Sequence, residues 1–246
     1  MILPITIAAP ILARTESEAQ ILLQSVRSLA RQALPLFFAD GGSIPGFRED
    51  LAKISRVTVR QTPGEGPRLV SQVRQALDAA QETRTPYILY TEPDKQWFFE
   101  NRLETFLSNA TTDASEVGIY LPARDAASFA TFPRVQQTPE QLFNALAAET
   151  LGRQADLLYG PLLLRRDLVP LLDPLPPDLG WGWRTFLVVA AHRHGLPLVT
   201  WEADLPCPEE QRGEGDEQSQ TYRLEQLAQN IRGLVLGRKE LLQARD

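Results

Sequence analysis

Tyr87-Ile88-Leu89-Tyr90-Thr91-Glu92-Pro93-Asp94-Lys95 runs straight from four apolar residues into a turn holding two carboxylates, a proline and a lysine. A short apolar run bounded by turn residues reads as a strand buried on both faces. Helical spacing flanks it on either side. Upstream, Leu69, Val70, Val73, Ala76, Leu77 and Ala80 fall on one helical face; downstream, a helix carries Trp97, Phe98, Leu103, Phe106 and Leu107. A buried strand between amphipathic helices is the repeating unit of a mostly parallel sheet covered on both faces.

The same alternation extends toward the N-terminus. Ile2 to Ala9 is an apolar, strand-like run, and Thr15-Glu16-Ser17-Glu18 behind it has the form of a capping box. Ala19, Leu22, Leu23, Val26, Leu29, Ala30 and Ala33 then mark a helix face. Leu34 to Ala39 is a second strand, ending in Asp40-Gly41-Gly42-Ser43, and Arg56 to Arg60 a third, short one. Thr62-Pro63-Gly64-Glu65-Gly66-Pro67 forms a turn, with Pro67 suited to a first helical position. Val117 to Leu121 is a further strand. Right-handed crossovers are expected throughout.

The second half is less regular. Arg124 to Gln137 reads as an exposed loop, and Thr138-Pro139-Glu140-Gln141 as the start of a helix carrying Leu142, Phe143, Leu146 and Leu151. Asp156 to Leu164 is strand-like, with a short helix from Asp167. A proline turn, Asp173 to Asp178, leads into Gly180-Trp181-Gly182-Trp183 and a helix that stops at Gly195. Leu196 to Trp201 is a last strand. From Ser219 the chain is helical, and Leu224, Leu227, Ile231, Leu234, Arg238 and Leu241 trace a heptad seam; Gly233 and Gly237 lower its intrinsic helicity. The expected organisation is one domain over 1–218, with a C-terminal helix over 219–246 that packs on it or joins two copies.

Composition narrows the function classes. The 246 residues carry a net charge of −6, and the segment from Glu202 to Glu217 alone accounts for it. The remainder is balanced, which argues against a dedicated nucleic-acid binder, a class that normally shows a basic face. That acidic segment reads as a mobile loop. No run of about 18 apolar residues suits a membrane span, and Met1 to Ala13 lacks the basic start of a signal peptide. One cysteine, Cys207, rules out a disulfide framework and suits a reducing cytoplasm, where it reads as an inert surface thiol. His192 and His194 close a helix, where the dipole favours positive charge.

Open parallel sheets bind ligands beyond the carboxyl ends of their strands. Pro10 and Arg14 follow the first strand, Asp40 and Gly41 the second, and Glu92, Pro93 and Asp94 the fourth. Glu92 and Asp94, one residue apart, suit a shared Mg²⁺ or Mn²⁺, a hard ion that takes carboxylate oxygens and keeps substrate phosphates in its shell. Lys95 adds positive charge for a diphosphate. Gly64 and Gly66, before a helix, suit close approach to a phosphate or ribose, and Asp40 a contact with the nucleoside. Trp181 and Trp183, flanked by glycines, suit a platform for an acceptor sugar, and Asp178 a general base. Each has a plain structural reading beside it: strand-end turns for Asp40 and for Glu92 to Asp94, a flexible turn for Gly64 and Gly66, and core packing for the tryptophans.

Taken in order, Ile5 to Pro10, Asp40 to Ser43, the Gly64/Gly66 turn and Tyr90 to Asp94 resemble the GT-A glycosyltransferases, family 2-like enzymes of the nucleotide-diphosphosugar transferase group. Tyr159-Gly160-Pro161 and Gly180 to Trp183 are similar to the acceptor half of glucosyl- or mannosylglycerate synthases. The resemblance implies a single-domain α/β fold with a C-terminal helix. It implies metal-assisted transfer of a sugar from a nucleotide sugar to a small-molecule or glycan acceptor, with Glu92-Pro93-Asp94 as counterpart of the family's Asp-x-Asp motif. The sequence departs from the family at four places. Glu92 replaces the first Asp, and Gly42 is inserted in the Asp-Gly-Ser turn. No Glu-Asp pair precedes the late helix, and Cys207-Pro208-Glu209 stands where several members carry a metal-binding histidine. Those departures support a second reading, a catalytically degenerate binding or scaffold protein that self-associates through Leu224 to Leu241. A third, a nucleotidyltransferase, normally needs a longer glycine-rich basic loop than Ala13-Arg14-Thr15.

Overall fold

The computed structural model describes residues 4–63, 69–113 and 117–243, so the Gly64 and Gly66 turn lies outside the described residues. The chain divides into two compact units: Met1–Ser115 with Gly160–Asp178, and Glu116–Tyr159 with Leu179–Asp246.

The first unit holds strands β1 (Ile5–Ile11), β2 (Leu36–Asp40), β3 (Val57–Gln61), β4 (Tyr87–Tyr90) and β6 (Leu162–Arg165). Their spatial order is β3-β2-β1-β4-β6. The first four run parallel, and β6 pairs antiparallel with β4, Tyr90 opposite Leu162. Every residue of β1 and β4 is buried, so both faces of the sheet centre are covered. Helix α3 (Leu69–Gln81) packs on β1 and β2, and α1 (Glu16–Ala30) packs on α4 (Gln96–Asn101). Chain order reverses between β1 and β4, which opens the ligand crevice of doubly wound sheets at their carboxyl ends.

Several elements differ from the sequence expectation for identifiable reasons. A short helix, α2 (Phe47–Ala52), occupies the loop before β3 and buries Phe47 and Leu51. The single helix expected after β4 is two, α4 and α5 (Leu103–Asp113), broken at Arg102, whose φ of −134° is not helical. At α1, Thr15 Oγ1 accepts from the Glu18 N–H at 3.1 Å as a cap should, but the Glu18 carboxylate accepts from the Arg14 N–H at 2.6 Å and holds the preceding loop instead. The strand expected over Asp156 to Leu164 begins only at Leu162.

The second unit pairs β5 (Ile119–Arg124) with β7 (Leu198–Ala203) in parallel. It contains α6 (Ala126–Phe129), α7 (Arg134–Leu151), α8 (Gly182–Arg193) and α9 (Glu217–Gln243). Ten consecutive residues of α8, Gly182 to Ala191, are buried. Helix α9 lies along it, with Asn230, Gly233, Leu234 and Gly237 buried at the contact. A methyl group on Gly233 would overlap the Gly182 carbonyl, and one on Gly237 would lie 2.9 Å from the Phe186 carbonyl oxygen. The two glycines therefore allow the helices to meet backbone to backbone. Leu224 of the expected seam remains 63 % exposed.

The segment read as an exposed loop from Arg124 to Gln137 is mostly structured, because a buried arginine anchors it. The acidic stretch is also tied down near both ends: Leu205 and Cys207 are buried, the Cys207 N–H donates to Thr131 Oγ1 at 2.8 Å, and the Glu214 carboxylate accepts from the Arg134 N–H at 3.0 Å. Cys207, 2 % exposed, is a core residue and not a surface thiol. No described helix is long and apolar enough to cross a membrane.

Candidate functional site

Three strand ends of the first unit converge on the crevice. Pro10 lies within β1, buried and opposite Ala39 of β2, and contributes backbone shape more than a side-chain contact. Arg14 is exposed on the loop that follows. Asp40 ends β2 and is 1 % exposed. Its Oδ1 accepts from the Ser43 N–H at 3.1 Å and from the Ser43 hydroxyl, and its Oδ2 faces Arg48 Nε at 3.7 Å. Ser43 Oγ in turn accepts from the Ala13 N–H at 2.9 Å. Asp40 is thus the anchor of an Asx-type turn that joins the β1 and β2 loops.

Gly41 occupies a close approach. A side chain there would strike Gln72 Nε2, at 2.6 Å from the ideal Cβ. That amide donates to the carbonyls of Ile11 and Ala39, at 3.2 and 3.3 Å, and so pins the carboxyl ends of β1 and β2 to α3.

The β4 end carries the acidic turn. The Thr91 N–H donates to the Ala8 carbonyl at 3.1 Å, continuing the ladder with β1, and the Lys95 N–H donates to the Glu92 carbonyl at 3.3 Å, closing a turn over Pro93 and Asp94. Pro93 is buried while Asp94 is 57 % exposed. Lys95 Nζ lies 3.5 Å from Asp94 Oδ2. Glu92 is half-buried beneath Gly160, a residue of the turn entering β6 with φ of +131°. A methyl group on Gly160 would overlap Glu92 Oε2 and come within 2.9 Å of Lys95 Cε. The turn therefore gathers Glu92, Asp94 and Lys95, with Gly160 packed against Glu92 and Lys95. By resemblance the sequence put Tyr159-Gly160-Pro161 with the acceptor half; the structure sets Gly160 against Glu92 and Lys95 of the acidic turn.

Two carboxylates on one tight turn are hard oxygen donors of the kind Mg²⁺ and Mn²⁺ take, with substrate phosphates completing the shell. No group of three His, Cys, Asp or Glu poised for a metal exists among the described residues.

In the second unit, Trp183 is 0 % exposed and belongs to the core, so an exposed platform of two tryptophans does not form. Trp181 is half-buried. Its N–H donates to Gln229 Oε1 at 2.9 Å, and its Nε1 donates to the Tyr222 hydroxyl at 3.0 Å. Both partners sit on α9, and neither Tyr222 nor Gln229 was singled out from sequence. Tyr222 is 46 % exposed. In the first unit, Asp178 lies exposed within a 3₁₀ turn over Pro177–Leu179. His194 at the end of α8 faces Glu240 of α9 at 3.1 Å, a helix-end role as the sequence suggested.

Arg124, also missed, is the most engaged charge of the second unit. Its side chain is 0 % exposed and forms bonds of 2.6 and 2.8 Å to the two oxygens of Asp156, and of 2.6 Å to Glu140 Oε2. The Phe129 and Phe132 rings cover it at 4.5 and 4.6 Å. Burial opposes its charge, but the Asp156 bonds and the Glu140 charge hold it firmly protonated. Burial raises the Glu140 pKa above the ordinary carboxylate range. Asp156 is also penalised by burial, yet its bonds to Arg124 bring its pKa below that range.

No family model matches this sequence, and no curated protein matches it. Solved structures do. Glucosyl-3-phosphoglycerate synthase from Mycobacterium tuberculosis, in complex with Mn²⁺, UDP and glucosyl-3-phosphoglycerate, superposes with a TM-score of 0.61 at 14 % identity over 95 % of this chain and 81 % of that one. Its complex with Mn²⁺, UDP-glucose and phosphoglyceric acid gives 0.59 at 15 % over 96 % and 79 %. A further structure of the same enzyme gives 0.58 at 17 % over 93 % and 81 %. The chain shares the fold of that nucleotide-sugar enzyme, as the resemblance in its motifs implied.

Proposed function

We propose that this chain is a metal-assisted glycosyltransferase that moves a sugar from a nucleotide-diphosphate sugar to a small-molecule or glycan acceptor. One observation carries the reading: Glu92, Asp94 and Lys95 stand on a single turn at the carboxyl end of β4, beside β1, where chain order reverses. That is where a doubly wound sheet receives a nucleotide. The fold is that of an enzyme whose structures contain UDP-glucose with Mn²⁺, or UDP with Mg²⁺.

Glu92 and Asp94 would hold Mg²⁺ or Mn²⁺, which would neutralise charge developing on the departing diphosphate. Lys95 adds its ammonium to the same charge and is already drawn to this turn by Asp94. Pro10, Arg14, Asp40 and Gly41 shape the nucleoside side. Asp40, held in its turn by Ser43, would contact the nucleoside. Trp181, held by Tyr222 and Gln229, is the acceptor contact. Asp178 is the candidate general base, exposed and therefore accessible to an acceptor hydroxyl.

The test is release of UDP from UDP-glucose in the presence of Mn²⁺, with and without 3-phosphoglycerate as a first acceptor. Acceptor-dependent release establishes the transfer. Donor binding without release moves the assignment to a non-catalytic protein of the same fold. Self-association through α9 belongs to that second reading and draws on Leu224 and Val235, 63 % and 43 % exposed. Light scattering on the full chain distinguishes one copy from two. A cytoplasmic location, suited to the single reduced Cys207, is part of the same proposal.

A further inference from the structure

We infer that Gly160 is a positioning residue for the acidic turn: its missing side chain sets where the Glu92 carboxylate and the Lys95 stem lie. The use of that turn in metal and donor binding rests on the transferase reading above. The local contact between Gly160 and Glu92 does not.

The backbone at Gly160 has φ of +131°, a region open to glycine and closed to residues with a Cβ. The turn enters β6, whose Leu162 pairs with Tyr90 at the end of β4. The antiparallel strand thus carries Gly160 back over the acids that leave β4. Both Glu92 Oε2 and Lys95 Cε approach the point where a Cβ would stand. One backbone position therefore contacts an acid and a base that the mechanism uses together. A methyl group there must displace the carboxylate, the lysine stem or the turn itself. The Glu92 carboxylate occupies the space that the glycine leaves.

Backbone strain alone is a competing effect, and Gly46 supplies the control. It has φ of +85°, lies in the same unit, and a Cβ there meets nothing within 4 Å. Two measurements test the inference. The first is Mn²⁺ binding in the presence of UDP, read as the loss of the free-ion electron paramagnetic resonance signal, for the parent protein, Gly160→Ala and Gly46→Ala. The second is the thermal midpoint, without ligand, of Gly160→Ala and of the double variant Gly160→Ala/Glu92→Ala.

The expected result is at least tenfold weaker Mn²⁺ binding in Gly160→Ala, less than a twofold change in Gly46→Ala, and a higher midpoint for the double variant than for Gly160→Ala. Mn²⁺ binding by Gly160→Ala within twofold of the parent overturns the inference, as does a double variant no more stable than Gly160→Ala. Absence of Mn²⁺ binding by the parent protein overturns the transferase reading alone; the midpoints then decide whether Gly160 governs the Glu92 carboxylate.

Discussion

Arg124 and Asp156, 32 residues apart in sequence, form a two-point ion pair in the core of the second unit, with Nε and Nη2 each donating to one carboxylate oxygen. Glu140 accepts a third bond from the same guanidinium. The cluster joins the end of β5, helix α7 and the segment before Leu157. Removing the arginine leaves two buried carboxylates without their shared cation, a loss of about 3–5 kcal/mol. Arg124→Met is expected to lower stability by that amount in urea unfolding, and adding Glu140→Gln and Asp156→Asn to recover most of it. Recovery of less than a third would mean that the cluster acts through packing and not charge.

The same cluster predicts a two-sided pH dependence. The Asp156 pKa is lowered by folding, so its contribution is present above about pH 3.9, the unfolded value, and is lost as pH falls through the folded value. The Glu140 pKa is raised by burial, so its contribution is full below about pH 4.3 and is lost as pH rises through the folded value. Thermal midpoints measured against pH should show Glu140→Gln with a weaker decline toward neutrality than the parent, and Asp156→Asn with a weaker decline on the acid side. Identical profiles for all three proteins would contradict both assignments.

Helix α9 should behave as part of the second unit's core. Gly233→Val places a branched side chain against the Gly182 carbonyl, where even a methyl group overlaps. Overpacking of this kind costs about 1–3 kcal/mol or more. The expected loss in denaturant unfolding exceeds that of Arg232→Val, an exposed neighbour on the same helix. Equal losses would mean that the close approach of α8 and α9 contributes nothing.

Tyr222 holds Trp181 through one side-chain hydrogen bond. A bond of this kind is worth about 0.5–1.5 kcal/mol. If Trp181 meets the acceptor, Tyr222→Phe should raise the acceptor KM about two- to tenfold and leave the donor KM unchanged. Acceptor kinetics with UDP-glucose as donor read this directly. A change in the donor KM alone would move Trp181 out of the acceptor role.

The strands at the centre of the first unit's sheet were legible because β1 and β4 are buried along their whole length and the helices beside them each show one apolar stripe; β3, which has no buried residue, was legible only from its alternation. The acidic turn was legible for the same reason as β4: Glu92 and Asp94 follow four apolar residues with only Thr91 between. Arg124 was not, since a charged residue followed by Asp125 and small residues reads as a loop until Glu140 and Asp156 are known to converge on it. Trp183 and Trp181 look alike in sequence, and only burial separates the core residue from the half-exposed one. Gly233 and Gly237 look like weak points in a helix until Gly182 is found against them. Asp40 has the residue type of a ligand contact and the bonding of a turn anchor, a difference made by Ser43 three residues on.

If Glu92 and Asp94 bring a divalent ion to a nucleotide diphosphate, the thermal midpoint with UDP and UDP-glucose, with and without Mn²⁺, in the parent protein and in Asp94→Ala reads it without need of an acceptor. Asp94 is exposed, so its truncation should leave the unliganded midpoint unchanged. A ligand at a hundredfold excess over Kd stabilises by about 2.7 kcal/mol. The expected result is a Mn²⁺-dependent rise in the parent protein that Asp94→Ala lacks; an equal rise in both proteins, or a nucleotide response indifferent to Mn²⁺, would remove the two acids from metal binding.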